Sequence, residues 1–202
     1  GAYGLAIAVS PLFAVAYVYR RGGLRTDPGP PAEWNEVTPN LGWLLLGSVF
    51  AASLLNAGPI TASLLAGDND DALVTQFSYG VLLARIPLFL FQAVQAALLP
   101  RLSQLAARGE FSEFRSGLRR VMIIVVGVGV SGTIGALLLG PWAIKIVYDA
   151  DLSGRTLAML SASSACYMLA LATAQAVIAL RGHALVALGW GIGVVTFVLA
   201  TW

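Results

Sequence analysis

Long apolar runs constrain this chain more than any other feature of its sequence. Six runs approach or exceed about 20 residues, the length of helix that crosses the hydrocarbon core of a membrane. They lie at residues 2–19, 40–66, 72–99, 120–140, 157–180 and 185–202. Only 11% of the residues are charged, against about 25% in soluble domains. The connections are too short for a separate soluble domain, so we predict an all-α polytopic membrane protein with six transmembrane helices.

The two ends of the sequence allow two interpretations. The chain starts at Gly1, with no basic segment before the first apolar run, which makes that run a poor signal peptide. It stops at Trp202, at the end of the sixth run. Either this is a complete six-span protein with tight ends, or it is a fragment of a longer transporter. We expect the fragment.

The basic residues predict the orientation in the membrane. Alternate connections between spans lie on the same side. The first set comprises residues 20–39, 100–119 with Arg120 at the helix edge, and 181–184, and the second comprises residues 67–71 and 141–156. The first set holds nine arginines, whereas the second holds only Lys145 and Arg155. Because cytoplasmic loops carry the excess of Lys and Arg, we expect the first set to be cytoplasmic, in a bacterial inner membrane.

Two of the cytoplasmic connections differ in kind. Residues 20–39 are rich in Gly, Pro and charge, as is typical of a linker between two helical bundles. The segment 100–119 places apolar residues at helical spacings among polar and basic ones, namely Leu102, Leu105, Phe111, Phe114 and Leu118. This pattern fits a helix that lies on the inner membrane surface, and it fits a simple helical connector equally well.

Several kinds of chemistry find no support in the sequence. The single histidine, His183, lies in a short turn, so a His-based metal site or catalytic triad is not available. The stretch "DNDD", residues 68–71, is not the acidic box of a prenyltransferase, because such a box would need an acid at position 73, where this chain has Leu73. The stretch "GVGVSG", residues 127–132, lies within a span, and we expect Gly127 and Ser131, with Gly135 after it, to form a small-residue face for helix packing. We therefore expect no enzyme activity, cofactor, metal ion or nucleic-acid partner.

A charge in the middle of the third span carries the functional hypothesis. Arg85 is the fourteenth residue of the run 72–99, too deep to reach the interface easily. An arginine at this depth costs about 2.5–3.5 kcal/mol on insertion scales. Ser78, Arg85 and Gln92 recur at intervals of seven, on one face of a continuous helix. We expect this face to meet a water-filled cavity or the polar groups of another helix.

Two prolines interrupt neighbouring spans at similar depth. Pro87 follows Arg85 closely, and Pro59 ends the sequence Asn56-Ala57-Gly58-Pro59 in the span before it. A proline removes a helical hydrogen bond and frees a carbonyl. Interrupted helices mark binding sites or hinges in transporters, whereas the alternative is that both prolines only shape helix packing.

The segment "ARIPLFLFQAVQAALLPRLSQLAARGEFSEFRSGLRR" and the later "GPWAIKIVYDADL" resemble the polysaccharide-export branch of the MOP superfamily (multidrug, oligosaccharidyl-lipid and polysaccharide exporters). The resemblance covers about residues 40–160, and the spacing of the spans agrees to the end. It implies two helical lobes that face each other across a central cavity and move by alternating access. Residues 1–19 would then be the last helix of the N-terminal lobe, 20–39 the interlobe linker, and 40–202 an incomplete C-terminal lobe.

The resemblance also implies a role for Arg85. Flippases of this branch that move undecaprenyl-pyrophosphate sugars bind the pyrophosphate with cavity arginines. One such arginine lies about one helical turn earlier, near Leu82, so Arg85 corresponds to it in role and face rather than in aligned position. We expect Arg85 to bind the pyrophosphate, with Gln92, Ser78 and Asn56 assisting.

We therefore expect a flippase for a lipid-linked oligosaccharide or polysaccharide precursor, whose partners are that glycan, the membrane lipids and a missing N-terminal lobe. One alternative is a multidrug or cation antiporter of the same fold. Such an antiporter usually needs a carboxylate inside the membrane, and all ten acids here fall in loops or at span edges. The others, from a different class, are a non-transporting scaffold and the membrane domain of a lipid-processing enzyme. The mid-membrane charge argues against the scaffold, and the lack of catalytic groups against the enzyme.

Overall fold

A computed structural model of the protein describes Tyr17, Arg20, residues 34–67 and residues 70–202. The chain divides into two compact units, Gly1–Thr38 and Pro39–Trp202, and the helices described below belong almost entirely to the second unit. The predicted first span and most of the predicted linker, residues 2–19 and 20–39, lie outside the described residues apart from Tyr17, Arg20 and the start of the first helix below.

The described part of the chain folds into helices joined by short turns. These helices are α1 (Trp34–Leu65), α2 (Asp71–Ala84), α3 (Ile86–Ala107), α4 (Phe111–Tyr148), α5 (Gly154–Ala179) and α6 (His183–Thr201). Within the described ranges, all except α2 are long and apolar enough to cross a membrane. Large apolar side chains such as Leu138 and Leu199 are 70% and 75% exposed, as expected of a surface that meets lipid. The structure thus confirms an all-α polytopic membrane protein.

The predicted span 72–99 is not one continuous helix. α2 ends at Ala84, α3 begins at Ile86, and Arg85 between them has φ −88° and ψ −6°. Pro87 occupies the first turn of α3, where its missing N–H leaves no intrahelical hydrogen bond unmade. A proline at this position favours the start of a new helix over continuation of the old one. The span therefore consists of two helices with Arg85 at their junction.

The connection at 100–119 closes a helical hairpin and does not form a separate surface helix. Residues 100–107 extend α3, and α4 begins at Phe111 after a turn in which Gly109 has φ 72°. The apolar stripe noted in the sequence packs inside this hairpin, where Leu102 and Phe114 are buried together with Leu98 and Ala176. The helical connector is therefore the correct interpretation, because protein covers most of the stripe, although Phe111 is exposed.

The opposite end of α4 is defined by local polar contacts. Asp149 ends the helix in the left-handed conformation, with φ 48°. Lys145 forms ion pairs with Asp149 at 3.1 Å and with Asp151 at 3.0 Å. The hydroxyl of Ser153 accepts a hydrogen bond from the Thr156 N–H at 3.1 Å, which caps the start of α5. These contacts favour a tight turn between the two longest adjacent helices.

α4 and α5 form the closest helix pair, and glycines allow the approach. A Cβ added to Gly129 would lie 2.5 Å from the Ala165 Cβ, and one added to Gly140 would lie 2.8 Å from the Leu157 side chain. The expectation that Gly127, Ser131 and Gly135 form the packing face is wrong. Gly127 and Gly135 have no atom within 4 Å of an added Cβ, whereas Gly129 and Gly140 are the glycines that face α5 closely.

Candidate functional site

Arg85 and Pro59 line a cavity of about 910 Å³ within the second unit. Its walls come from α1, α2, α5 and α6. α1 and α6 meet along one edge, where Phe50 packs against Gly191 and Leu54 against Gly193. α5 forms the opposite wall, since its other face is already buried against α3 and α4 through Met168, Ala172 and Ala176.

One full face of α5 lines the cavity. Thr156, Ser163, Ala170 and Val177 recur at intervals of seven residues and all belong to the lining, which is the spacing expected for one face of a helix. Small and hydroxylated side chains dominate this face, so the wall is open and weakly polar. This face was not predicted from the sequence, because small and hydroxylated residues at helical spacing are equally common where helices pack together.

Arg85 is the only charged residue among the described residues that line the cavity. It is partly buried, and one guanidinium Nη donates a hydrogen bond to the Leu55 carbonyl oxygen of α1. A guanidinium has five N–H donors. The remaining donors are therefore available to a group that enters the cavity.

Pro59 explains why the Leu55 carbonyl can accept this bond. In a regular helix the carbonyl of residue 55 would accept from the N–H of residue 59, but proline has no N–H. α1 nevertheless continues through Pro59 without a break, so the Leu55 oxygen stays at membrane depth without its helical donor. Arg85 donates to that oxygen. The sequence predicted a cavity arginine and a carbonyl freed by proline, and in the structure these two features form one hydrogen bond.

Tyr167 makes a second bridge to α1, one helical turn away. Its hydroxyl donates to the Ala51 carbonyl at 3.0 Å, and its ring lies against that of Trp190, with centroids 5.3 Å apart. Both aromatic residues line the cavity. Side chains from α5 and from the α2–α3 junction therefore hold successive turns of α1. The sequence analysis did not identify Tyr167.

The other predicted binding residues lie away from this lining. Asn56 is exposed and its amide donates to the Ala52 carbonyl of its own helix, at 2.9 Å. The Ser78 hydroxyl donates to the Val74 carbonyl of its own helix, at 2.8 Å. Gln92 is exposed, because the break at Arg85 ends the continuous helix that would have kept it on the face of Arg85. The structure brings Pro59 to the cavity wall but not Pro87. Movement about either proline, like binding by these three side chains, remains a prediction.

The geometry suits an amphipathic anion. A guanidinium can bind two phosphate oxygens through parallel hydrogen bonds, and its attraction for an anion is stronger in a cavity of low dielectric than in water. The rest of the lining is mostly apolar, with Phe77, Val81 and Phe197 among its residues. No group of three or more potential metal ligands occurs within residues 34–67 and 70–202 or at the two described positions before them.

Comparison with known families gives one match. The family model described as "Lipid II flippase MurJ" matches residues 4–195, nearly the whole chain. No match was found among curated proteins or among solved structures.

Proposed function

Because this chain belongs to the lipid II flippase MurJ family, we propose that it moves a pyrophosphate-linked glycan precursor of the lipid II type across the membrane. It is a multi-pass protein of the bacterial inner membrane, and its family belongs to the MOP superfamily that the sequence resembles. The translocation needs no covalent chemistry on the substrate, so we infer a transporter rather than an enzyme.

The observation that carries this proposal is Arg85, the one positive charge that the described residues contribute to the cavity wall. Arg85 has one donor bonded to a neutral carbonyl, so its net charge is not cancelled. A pyrophosphate would supply the missing counter-charge, and a lipid chain could contact the apolar lining. Charge and apolar surface are thus available together to a substrate that carries both.

The proposed transport cycle requires a second wall. We infer that residues 40–202 supply most of one lobe, and that a second lobe provides the other wall around the substrate. Alternating access would then expose the cavity to each side of the membrane in turn.

A reconstitution experiment tests the role of Arg85. Wild-type and Arg85→Ala transporters are placed in proteoliposomes with fluorescent lipid II, and the rate at which the label crosses the bilayer is measured. We expect Arg85→Ala to lower the rate by about tenfold or more, because a charge-assisted phosphate contact of about 1.5–3 kcal/mol is lost.

The matched control is Arg101→Ala, which removes an exposed arginine from the C-terminal half of α3. This variant should flip lipid II at the wild-type rate. Thermal unfolding of each purified variant separates loss of binding from loss of folding. A folded Arg85→Ala transporter with the wild-type rate would overturn the proposal.

A further inference from the structure

Residue 59 has no N–H to donate to the Leu55 carbonyl, and Arg85 donates to that carbonyl. We propose that Pro59 is a positioning residue for substrate binding. By withholding its hydrogen bond from the Leu55 carbonyl, it provides the acceptor that holds the Arg85 guanidinium in the cavity wall. This inference rests on the proposed function of Arg85 as the pyrophosphate contact, and it assigns a separate chemical role to a residue of a different helix.

The two prolines act on the two partners of this bond. Pro87 lies in the first turn of α3 and favours the break that leaves Arg85 at a helix junction. Pro59 lies within continuous α1 and leaves one carbonyl without its helical donor. Both Pro59 and Arg85 line the cavity. The donor Arg85 precedes the helix that contains Pro87, and the acceptor Leu55 lies in the helix that contains Pro59. Each partner of the bond is therefore affected by a nearby proline.

A carbonyl is a suitable partner for an arginine that must bind an anion. A carboxylate would also fix the guanidinium, but it would neutralise the charge that attracts the substrate. The Leu55 carbonyl accepts one N–H and leaves the net charge unchanged. Because the long arginine side chain loses much rotamer freedom when it binds a ligand, fixing it beforehand lowers the cost of binding. Pro59 therefore increases affinity through Arg85.

The test separates the effect of the proline ring from the effect of the missing N–H. Pro59→Ala restores an N–H that can bond to the Leu55 carbonyl and displace Arg85. The ester analogue of alanine at position 59, introduced as an α-hydroxy acid, lacks the N–H as proline does but has no ring. The intact transporter is assayed for lipid II flipping over a range of substrate concentrations.

We expect Pro59→Ala to raise the half-saturating concentration of lipid II about fivefold with little change in maximal rate. The reason is that the Arg85 side chain is no longer fixed before the substrate binds, which weakens binding. The ester analogue should return the half-saturating concentration to within about twofold of wild type, as it again leaves the carbonyl free. In an Arg85→Lys background, Pro59→Ala should have a much smaller effect, because a lysine at position 85 presents a single ammonium that can rotate between partners.

Pro100→Ala is the matched control, since Pro100 also lies inside a helix but does not line the cavity. It should leave the half-saturating concentration unchanged. If the ester analogue behaves like Pro59→Ala, the proline ring rather than the missing N–H matters, and the inference is wrong. An unchanged half-saturating concentration in Pro59→Ala also overturns it. A failure of the proposed function is recognised separately, because flipping would then be insensitive to Arg85→Ala itself.

Discussion

An arginine buried in a membrane span needs a partner, and Arg85 has one that leaves its charge uncompensated. Its Nη donates to the Leu55 carbonyl, which is free because Pro59 cannot donate to it. In the structure the contact with a freed carbonyl and the position in the cavity wall occur together.

Arg85→Lys tests whether the fork of the guanidinium matters in addition to its charge. A lysine keeps the charge but offers one compact ammonium, which cannot bond to the Leu55 carbonyl and to two phosphate oxygens in parallel. We expect lipid II flipping to fall about tenfold, with thermal stability close to wild type. Flipping at the wild-type rate would show that charge alone suffices.

Tyr167→Phe removes only the hydrogen bond to the Ala51 carbonyl and leaves the ring against Trp190. A single neutral hydrogen bond contributes about 0.5–1.5 kcal/mol, so we expect a small drop in the unfolding temperature. Tyr167→Ala should lower it further, because the ring contact is lost as well. Thermal unfolding of the purified variants in detergent measures both effects. Equal unfolding temperatures for the two variants would contradict this account of α1 anchoring.

At the scale of helices, the close pair α4 and α5 forms the back of the site. Burial of one face of α5 against α4 leaves its other face, with Ser163 and Tyr167, to line the cavity. The approach depends on Gly129 and Gly140. Helix packing in a membrane relies on such close contacts, because lipid provides little hydrophobic driving force.

Gly129→Ala and Gly127→Ala form a matched pair on the same helix. The Cβ at 129 would lie 2.5 Å from the Ala165 Cβ, whereas the Cβ at 127 would have no atom within 4 Å. We expect Gly129→Ala to cost about 1–3 kcal/mol through overpacking. Gly127→Ala should be neutral or slightly stabilising, since alanine favours a helix over glycine. Thermal unfolding in detergent distinguishes them, and equal effects would contradict the assigned packing face.

The elements show where sequence patterns were sufficient. Hydropathy over 18–28 residues predicts spans well, because crossing a membrane requires an apolar helix whatever its neighbours are. It did not predict the break at Arg85, and a continuous helix was assumed when Gln92 was placed with Arg85. The packing face of α4 was missed for a related reason: small residues lie on more than one face of this helix, and only the neighbouring helix shows that Gly129 and Gly140 face protein.

The same limit applies to the cavity. Arg85 was predicted because a charge in an apolar run is conspicuous and costly. Tyr167 and Ser163 were not, because weakly polar residues in a span are equally common in helix packing. The partner of Arg85 depends on how α1 lies against the α2–α3 junction, which is a tertiary relation between residues thirty positions apart. No local pattern contains that information.

At the scale of the whole molecule, the positions of the basic residues at the helix ends agree with the predicted orientation in the membrane. The α3–α4 hairpin carries Arg101, Arg108 and Arg115 near its turn, whereas the α4–α5 turn carries Lys145, which is ion-paired. α4 has 38 residues, or about 57 Å of helix, against a hydrocarbon core of about 30 Å. It therefore extends beyond the membrane, and its arginine-rich first turns can lie in the cytoplasm as the sequence predicts.

Single cysteines test this orientation. In a Cys166→Ser background, Arg108→Cys places a thiol in the α3–α4 turn and Asp151→Cys places one in the α4–α5 turn, both at exposed positions. An impermeant maleimide should label the cysteine at 151 in intact cells and the one at 108 only after the inner membrane is opened. The reverse pattern would contradict the assigned cytoplasmic side.

The central claim is that lipid II binds in this cavity through Arg85, and Cys166 allows a direct measurement. Cys166 is the only cysteine of the chain, is exposed and lines the cavity. The rate of its modification by a small water-soluble thiol reagent is measured with and without lipid II, in wild-type and Arg85→Ala transporters. We predict that lipid II slows modification of the wild type and gives little protection to Arg85→Ala. Equal protection of both, or no protection of the wild type, would contradict the account.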